Sequence, residues 1–126
     1  MLEAYTTGSD SPWGIELKSE GQIIGTVHLM ELDRVHRKAH IGFVLARPYW
    51  QQGYITEALC AVFEYCFTEL ALNRIEAYCL PENLAAMRVL ERMGMQREGL
   101  LRQYAWQKEV YQDFYLYAIL KSDDTN

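Results

Sequence analysis

The stretch from Ile41 to Leu72 constrains this chain more than any other. An apolar run, Ile41-Gly42-Phe43-Val44-Leu45-Ala46, stops at Arg47-Pro48. A short turn-forming segment follows, Trp50-Gln51-Gln52-Gly53-Tyr54-Ile55, and then Leu59, Val62, Phe63, Cys66, Phe67 and Leu70 recur at steps of three and four. That is the grammar of a strand, a tight turn and a long helix. A turn entering a helix presents backbone N–H groups with no partner of their own, at the positive end of the helix dipole. Such a place suits phosphate. Thr56 and Glu57 fit the first helical turn, and Gly53 lets the backbone approach a ligand. We read this turn as a grip for the pyrophosphate of a nucleotide-like cofactor. The plainer reading is a turn that binds nothing, because a lone glycine-bearing turn is a weak motif.

A chain of 126 residues, half of them hydrophobic, is enough for one domain with one core. Twelve basic against seventeen acidic residues give a net charge of −5, which argues against a nucleic-acid surface but allows a local basic pocket. Cys60, Cys66 and Cys79 are odd in number and lack metal-ligand spacing, so they read as reduced thiols of a cytoplasmic protein, without disulfide or metal. No apolar run is long enough to span a bilayer, and the opening residues are no signal peptide.

In chain order, Leu2, Ala4 and Tyr5 read as the tail of a helix, ended by Gly8 and Ser9-Asp10-Ser11-Pro12. Residues 1–12 are therefore expected to be the remnant of an upstream helix and linker. Trp13 to Leu17 alternates as a strand, Ser19 to Gln22 is a hairpin turn, and Ile23 to Met30 is the returning strand. Glu31 to Lys38 is a charged connection, and His40 to Ala46 is the strand that enters the key turn. After the long helix, Asn73 to Leu80 is a strand. Asn83 is a good N-cap for a helix from Leu84 to Met93, stopped by Gly94. Met95 to Trp106 and Tyr111 to Leu120 are the last two strands, and residues 121–126 are a flexible tail. The single domain is thus β-β-β-α-β-α-β-β. Its central strand-helix-strand unit implies a parallel crossover, and hairpins make the rest antiparallel.

Two motifs now carry a resemblance. Gly53-Tyr54-Ile55-Thr56-Glu57-Ala58 is similar to a Gly-Tyr-small-Thr-Glu-Ala signature, and Asn83 to Met95 is similar to Asn-x-x-Ser-x-x-x-x-Glu-Lys-x-Gly-Phe. Arg97-Glu98-Gly99 followed by Tyr111-x-Asp113 fits the same pattern. Over residues 13–120 the chain resembles the GCN5-related N-acetyltransferase (GNAT) superfamily, in particular its ribosomal-protein N-terminal acetyltransferase branch. The resemblance implies a mixed, mostly antiparallel sheet with a splayed strand pair and helices packed on it. It implies acetyl-coenzyme A as cosubstrate and no metal. The pantetheine arm is expected along Val44, Leu45 and Ala46, and the pyrophosphate on the turn made by Gln51, Gln52, Gly53, Tyr54, Ile55 and Thr56. Asn83 is expected on the pantetheine, and Arg88 or Arg92 on outer phosphates, although a solvated helix face accounts for both arginines equally well.

The departures from the pattern matter. Gln51 replaces a common glycine and serves if its φ is negative. Ile55 replaces a small residue. Ala86 and Leu90 stand where relatives carry the serine and tyrosine proposed as acids, so neither usual acid is present. His40, at the start of its strand, is the candidate general base, since its unperturbed pKa suits the task. The plainer reading is a half-buried strand-end histidine. Glu31 and Tyr104 are weaker candidates. The i, i+4 pair His36 and His40 is discounted as a metal site because the flanking residues do not form a helix. Tyr104, Trp106, Tyr111, Tyr115 and Tyr117 are either lining of an acceptor groove or sheet packing.

The expected function is transfer of acetyl to a primary amine, such as a protein N-terminus or a small amine. The alternative is a module that holds acetyl-coenzyme A with little or no turnover. A P-loop protein is disfavoured because no Lys-Ser/Thr follows the turn. A homodimer is expected, because the strand from Trp13 lacks a neighbour and an uncovered edge pairs with something.

Overall fold

The computed structural model describes residues 2–6, 12–17 and 21–123, with side chains from residue 12 onward. The strands are β1 (Leu2–Thr6), β2 (Trp13–Leu17), β3 (Gln22–Asp33), β4 (Lys38–Leu45), β5 (Arg74–Cys79), β6 (Gln96–Gln107) and β7 (Val110–Leu120), and the helices are α1 (Tyr54–Thr68) and α2 (Leu84–Arg92). Among the described residues, one seven-stranded sheet holds the strands in the order β1-β2-β3-β4-β5-β7-β6. Of these described strands only β4 and β5 pair in parallel. They are joined by α1, as a parallel connection requires a crossover. The mixed, mostly antiparallel architecture expected from the sequence is therefore the observed one.

The start of the chain differs from the expectation. Leu2–Thr6 is not the end of a helix but a strand, antiparallel to β2 with Leu2 opposite Leu17 and Thr6 opposite Trp13. Five residues cannot sustain a helix on their own, whereas a neighbouring strand supplies partners at once. The edge of β2 expected to be bare is consequently covered by β1. At the other end, residues 121–123 form a 3₁₀ turn rather than a loose tail, tied by Lys121 N–H donating to Asn73 O at 2.8 Å. The linker residues 8–11, the turn residues Ser19 and Glu20, and tail residues 124–126 lie outside the described part.

The core lies on one face of the sheet. Leu59, Val62, Phe63, Cys66 and Phe67 of α1 and Leu90 of α2 pack with Ile15, Val27, Ala39, Ile41, Ile75, Ala77 and Tyr117. Burial pushes the Cys66 thiol up to about 12, in keeping with a structural role. Because strand side chains alternate, Ala39 and Ile41 on β4 and Ile75, Ala77 and Cys79 on β5 face the helices. His40, Glu76 and Tyr78 face the opposite side, which carries no helix among the described residues.

Two features position the site. Asn83 Oδ1 accepts from Ala86 N–H at 3.1 Å, fixing the start of α2. The charged connection is tighter than expected. β3 continues to Asp33 through a bulge with Glu31 at φ 51°, and Asp33 Oδ1 accepts from the N–H groups of Val35 and His36. These amide donors hold the exposed Asp33 carboxyl below its usual range.

Candidate functional site

β4 and β5 pair only through Lys38–Arg74, Ala39–Ile75 and His40–Glu76. Beyond that rung the strands part. Trp50 and the turn at Gly53 sit at the wide end, and α2 borders the β5 side. The resulting cleft has a volume of about 650 Å³, within the range of small-molecule sites, and Ile41 to Leu45, Gln51, Gly53, Thr56, Tyr78, Asn83 and Arg88 are among its walls.

The backbone of β4 offers hydrogen bonds to this cleft in alternation. Ala46 N–H donates to Ile24 O at 2.8 Å, so Ala46 and, two residues before it, Val44 point their backbone groups at β3. Those of Phe43 and Leu45 point the other way, into the gap. The Leu45 carbonyl accepts from Trp50 Nε1–H at 2.7 Å. Of the three residues expected to pair with a pantetheine arm, Leu45 has its backbone on the cleft side. Val44 lines the cleft by other atoms, and Ala46 is committed to β3.

The turn is built for close approach. Gly53 has φ 79° and is the N-cap of α1. A Cβ placed on it would meet nothing within 4 Å, so the protein itself leaves that space open. Glu57 N–H is the first to reach back, to Gly53 O at 3.0 Å, which leaves the N–H groups of Tyr54, Ile55 and Thr56 without intrahelical partners. Thr56 Oγ1 is the one buried side-chain polar atom without a hydrogen-bond partner among the described residues, and Thr56 borders the cleft. Free N–H groups, an orphaned hydroxyl and an open glycine are what a phosphate-bearing ligand needs here, and Arg88 and Arg92 add positive charge to the same walls. Gln51 does not meet the condition of a negative φ; its φ is 62°, in the left-handed region. The chain must reverse between Trp50 and Gly53, and two left-handed residues accomplish that. Gln52 and Tyr54 work behind the turn: Gln52 Nε2 donates to Pro48 O at 2.9 Å, and Tyr54 packs on Tyr49. Ile55 is buried beneath the turn at the cleft edge.

Ala86 lines the cleft without a hydroxyl, and Leu90 is a core residue at its floor. Cys79 also lines it, buried, with its thiol pushed up by desolvation and by the nearby carboxylates of Glu82 and Glu91.

His40 is not a cleft wall. It lies at the last rung, on the helix-free side, within a chain of polar contacts. Its Nε2 is 2.9 Å from Glu76 Oε1 and 3.1 Å from the Tyr78 hydroxyl, and its Nδ1 is 3.6 Å from Glu31 Oε2. Arg74 Nε donates to Glu76 Oε2 at 2.6 Å, and Arg74 is bidentate to Glu98, at 2.7 and 3.1 Å. Glu98 is thereby held below the usual carboxylate range. Tyr104 O–H donates to Tyr78 at 3.2 Å. Burial, then the Tyr104 hydrogen bond, raise the Tyr78 phenol well above its ordinary value, so it stays protonated. Tyr78 touches both the cleft and His40, which makes it the link between them. The two weaker base candidates, Glu31 and Tyr104, thus join His40 around one network. Trp106 and Tyr111 pack together at the exposed end of the β6–β7 hairpin, and Tyr117 faces the core.

Sequence reading missed Arg74, Glu76 and Tyr78, and it named Trp50 only as part of the turn, not as a donor to Leu45. The run Arg74-Ile75-Glu76-Ala77-Tyr78 alternates polar and apolar, so a strand with a polar face was there to find, but not its neighbour.

Fold and cleft together define a mixed α/β protein with a ligand-sized gap between parted strands. The chain belongs to the GNAT acetyltransferase family, whose acetyltransferase (GNAT) domain model matches residues 1–96. It is similar to YoaA of Bacillus subtilis, an uncharacterised N-acetyltransferase, at 38% identity over 86% of this chain and 62% of that protein. RimJ of Mycobacterium smegmatis in complex with CoA-disulfide matches with a TM-score of 0.83 and 32% identity, over 91% of this chain and 55% of that one. The F149A mutant of the spermidine N-acetyltransferase SpeG from Vibrio cholerae matches with a TM-score of 0.84 and 28% identity, over 95% and 70%. The chain spans about three fifths of the length of the curated relatives it matches. No helix among the described residues is long and apolar enough to cross a membrane, and no described group of three or more His, Cys, Asp or Glu is placed to hold a metal.

Proposed function

We propose that this chain is an acetyl-coenzyme A-dependent N-acetyltransferase acting on a primary amine. The observation that carries the reading is the parting of β4 from β5 beyond the His40–Glu76 rung, directly beside the Gly53 turn. One end of the cleft has donors for phosphate: the first N–H groups of α1, Thr56 Oγ1, Arg88 and Arg92. Its middle has the Leu45 and Phe43 backbone for an amide-bearing arm, with Asn83 across from it. When bound, the thioester supplies the acetyl carbon that the amine attacks, forming the N–C bond as the C–S bond breaks and sulfur leaves as thiolate.

The chain's own residues hold and orient the partners and take a proton. Holding two reactants in line replaces much of what a dedicated acid would supply, which suits a site with Ala86 and Leu90 in place of hydroxyls. His40 is the proton acceptor for the incoming ammonium, on the side of the gap opposite the helices. Two acceptor classes fit, a small amine and a protein N-terminus. The likeness to a spermidine N-acetyltransferase supports the first, and the motif resemblance to the ribosomal-protein branch supports the second. The exposed free thiol of Cys60 is consistent with a cytoplasmic home. A homodimer remains part of the reading, with β1 rather than β2 as the edge that a second copy would meet.

The missing hydroxyls at Ala86 and Leu90 favour one second reading, a module that holds acetyl-coenzyme A without turnover. Two measurements separate the readings. Calorimetry with coenzyme A reports binding, and thiol release from acetyl-coenzyme A across a panel of polyamines and short peptides reports turnover. Binding with release on at least one amine is expected. Binding with no release on any amine selects the second reading, and no binding refutes both.

A further inference from the structure

We propose that Glu76 is a positioning residue that fixes the tautomer of His40, so that Nδ1 is the atom that accepts the amine's proton. The inference rests on the acetyltransferase reading for its chemistry and on the contacts around the last β4–β5 rung for its geometry.

Arg74 anchors the contacts around this rung. Its guanidinium cannot lose a proton, so every contact it makes must be with an acceptor. It donates to Glu76 Oε2 at 2.6 Å and, with its other nitrogens, to Glu98. Glu76 beside this cation is an ionised, acceptor-only carboxylate. Its remaining oxygen, Oε1, lies 2.9 Å from His40 Nε2. Two lone pairs do not meet at that distance in a site where the Glu76 side chain is 11% exposed, so Nε2 must carry the hydrogen. Neutral imidazole has one N–H, which leaves the lone pair on Nδ1.

The Glu76 contact, at 2.9 Å and to an acceptor-only group, decides the assignment over the Tyr78 hydroxyl at 3.1 Å, which can accept as well as donate. Tyr78 accepts from Tyr104, and with Nε2 protonated its own hydrogen is directed away from His40. On the other side, Nδ1 looks toward Glu31 Oε2 at 3.6 Å, and that carboxylate is 75% exposed. A proton taken by Nδ1 therefore rests between Glu76 and Glu31 and has an exit to solvent through Glu31. An ammonium gives one proton to Nδ1 before attack. It gives a second to solvent after the N–C bond forms, and the departing thiolate regains one.

The same geometry dictates what glutamine would do at position 76. Arg74 offers only donors, so the amide oxygen must stay on Arg74 and the NH₂ group must turn to His40. An NH₂ facing Nε2 requires Nε2 to be the acceptor, so the hydrogen moves to Nδ1 and the proton acceptor is lost. Glu76→Gln thus keeps shape and reverses the tautomer.

The test uses the whole chain labelled with ¹⁵N-histidine. His40 is assigned with the His40→Gln variant, and thiol-release kinetics follow on the best amine of the panel. In the wild-type protein His40 should show a protonated Nε2, and in Glu76→Gln a protonated Nδ1. The turnover number should fall by about a hundredfold or more in Glu76→Gln, the scale on which general bases contribute. The KM for acetyl-coenzyme A should stay within about twofold, since the variant leaves uniform binding untouched. The double variant His40→Gln/Glu76→Gln should be no slower than His40→Gln alone. An unprotonated Nε2 in wild type overturns the proposal without any variant. So does an unchanged turnover number in a folded Glu76→Gln protein. Tautomers that switch as stated, in a chain that acetylates no amine, refute the acetyltransferase reading and uphold the role of Glu76 in setting the tautomer.

Discussion

Two glycines flank the cleft for different reasons, and exchanging each for alanine separates space from backbone angle. At Gly25 on β3, a Cβ would lie 2.3 Å from the Val44 carbonyl oxygen and 3.1 Å from Leu45 Cα. Both of these neighbours are backbone, so no rotamer change relieves the clash. β4 must move by roughly 1 Å away from β3, at a cost of about 1–3 kcal/mol for overpacking. The Ala46 to Ile24 hydrogen bond at 2.8 Å lies beside the clash, and straining it adds about 1 kcal/mol. A total near 3 kcal/mol lowers the melting temperature of a chain this size by roughly 10 °C. Coenzyme A binding should weaken too, because the displaced segment includes the Leu45 backbone. At Gly53, by contrast, an added Cβ meets nothing, and only φ 79° opposes it. Gly53→Ala should cost about 1 kcal/mol, or roughly 4 °C, yet still weaken coenzyme A binding by filling the space kept for phosphate. Thermal melts by circular dichroism and calorimetry with coenzyme A check both. A Gly25→Ala protein melting within about 2 °C of wild type would show that β3 and β4 do not hold each other as closely as described.

Other outcomes follow from single contacts. Gln51→Gly relieves a left-handed glutamine at φ 62° and should raise stability by about 0.5–1 kcal/mol, measured by urea unfolding, after the greater freedom of glycine in the unfolded chain is offset. Burial, followed by its hydrogen bond to Glu91 at 2.8 Å, raises the Tyr117 phenol to about 12. A raised folded value means that its stabilising effect is complete below the ordinary value near 10 and is lost as pH rises through about 12. Unfolding measured across that window should show a decline that Tyr117→Phe flattens. Arg88→Ala should weaken coenzyme A binding and make it less sensitive to salt, because one cation is removed from the phosphate end. Equal salt slopes for the two proteins would take Arg88 out of contact with the ligand.

Much of this was legible in the sequence where local pattern and tertiary need agree. The 3.6-residue spacing from Leu59 to Phe67, the proline and glycine stops, and Asn83 as N-cap each depend on near neighbours alone. Leu2–Thr6 failed because a five-residue stretch has no period long enough to distinguish strand from helix tail, and its partner, Trp13–Leu17, decides the matter. The φ of Gln51 could be stated only as a condition, because residue type biases φ but the reversal between Trp50 and Gly53 dictates it. Glu76 and Tyr78 were unreadable for a different reason. Their meaning lies in the register that sets His40 opposite Glu76, and register is a property of two distant segments joined through α1. Glu31 reaches His40 only because a bulge turns it, and nothing in the residues Met30 to Asp33 announces a bulge.

The alternation along β4 gives the molecule a built-in clock. The N–H groups of Val44 and Ala46 are held by β3 whether or not anything fills the cleft, so solvent protons replace theirs only when the sheet itself opens. Those of Phe43 and Leu45 face the gap, where no strand competes with water. In the free protein, neighbouring amides a few ångströms apart should therefore exchange on different timescales, fast and slow in turn. Once an arm of matching hydrogen-bonding character lies along the gap, the fast members slow and the slow ones barely change. A single strand thus carries both the reference and the signal for occupancy of the cleft.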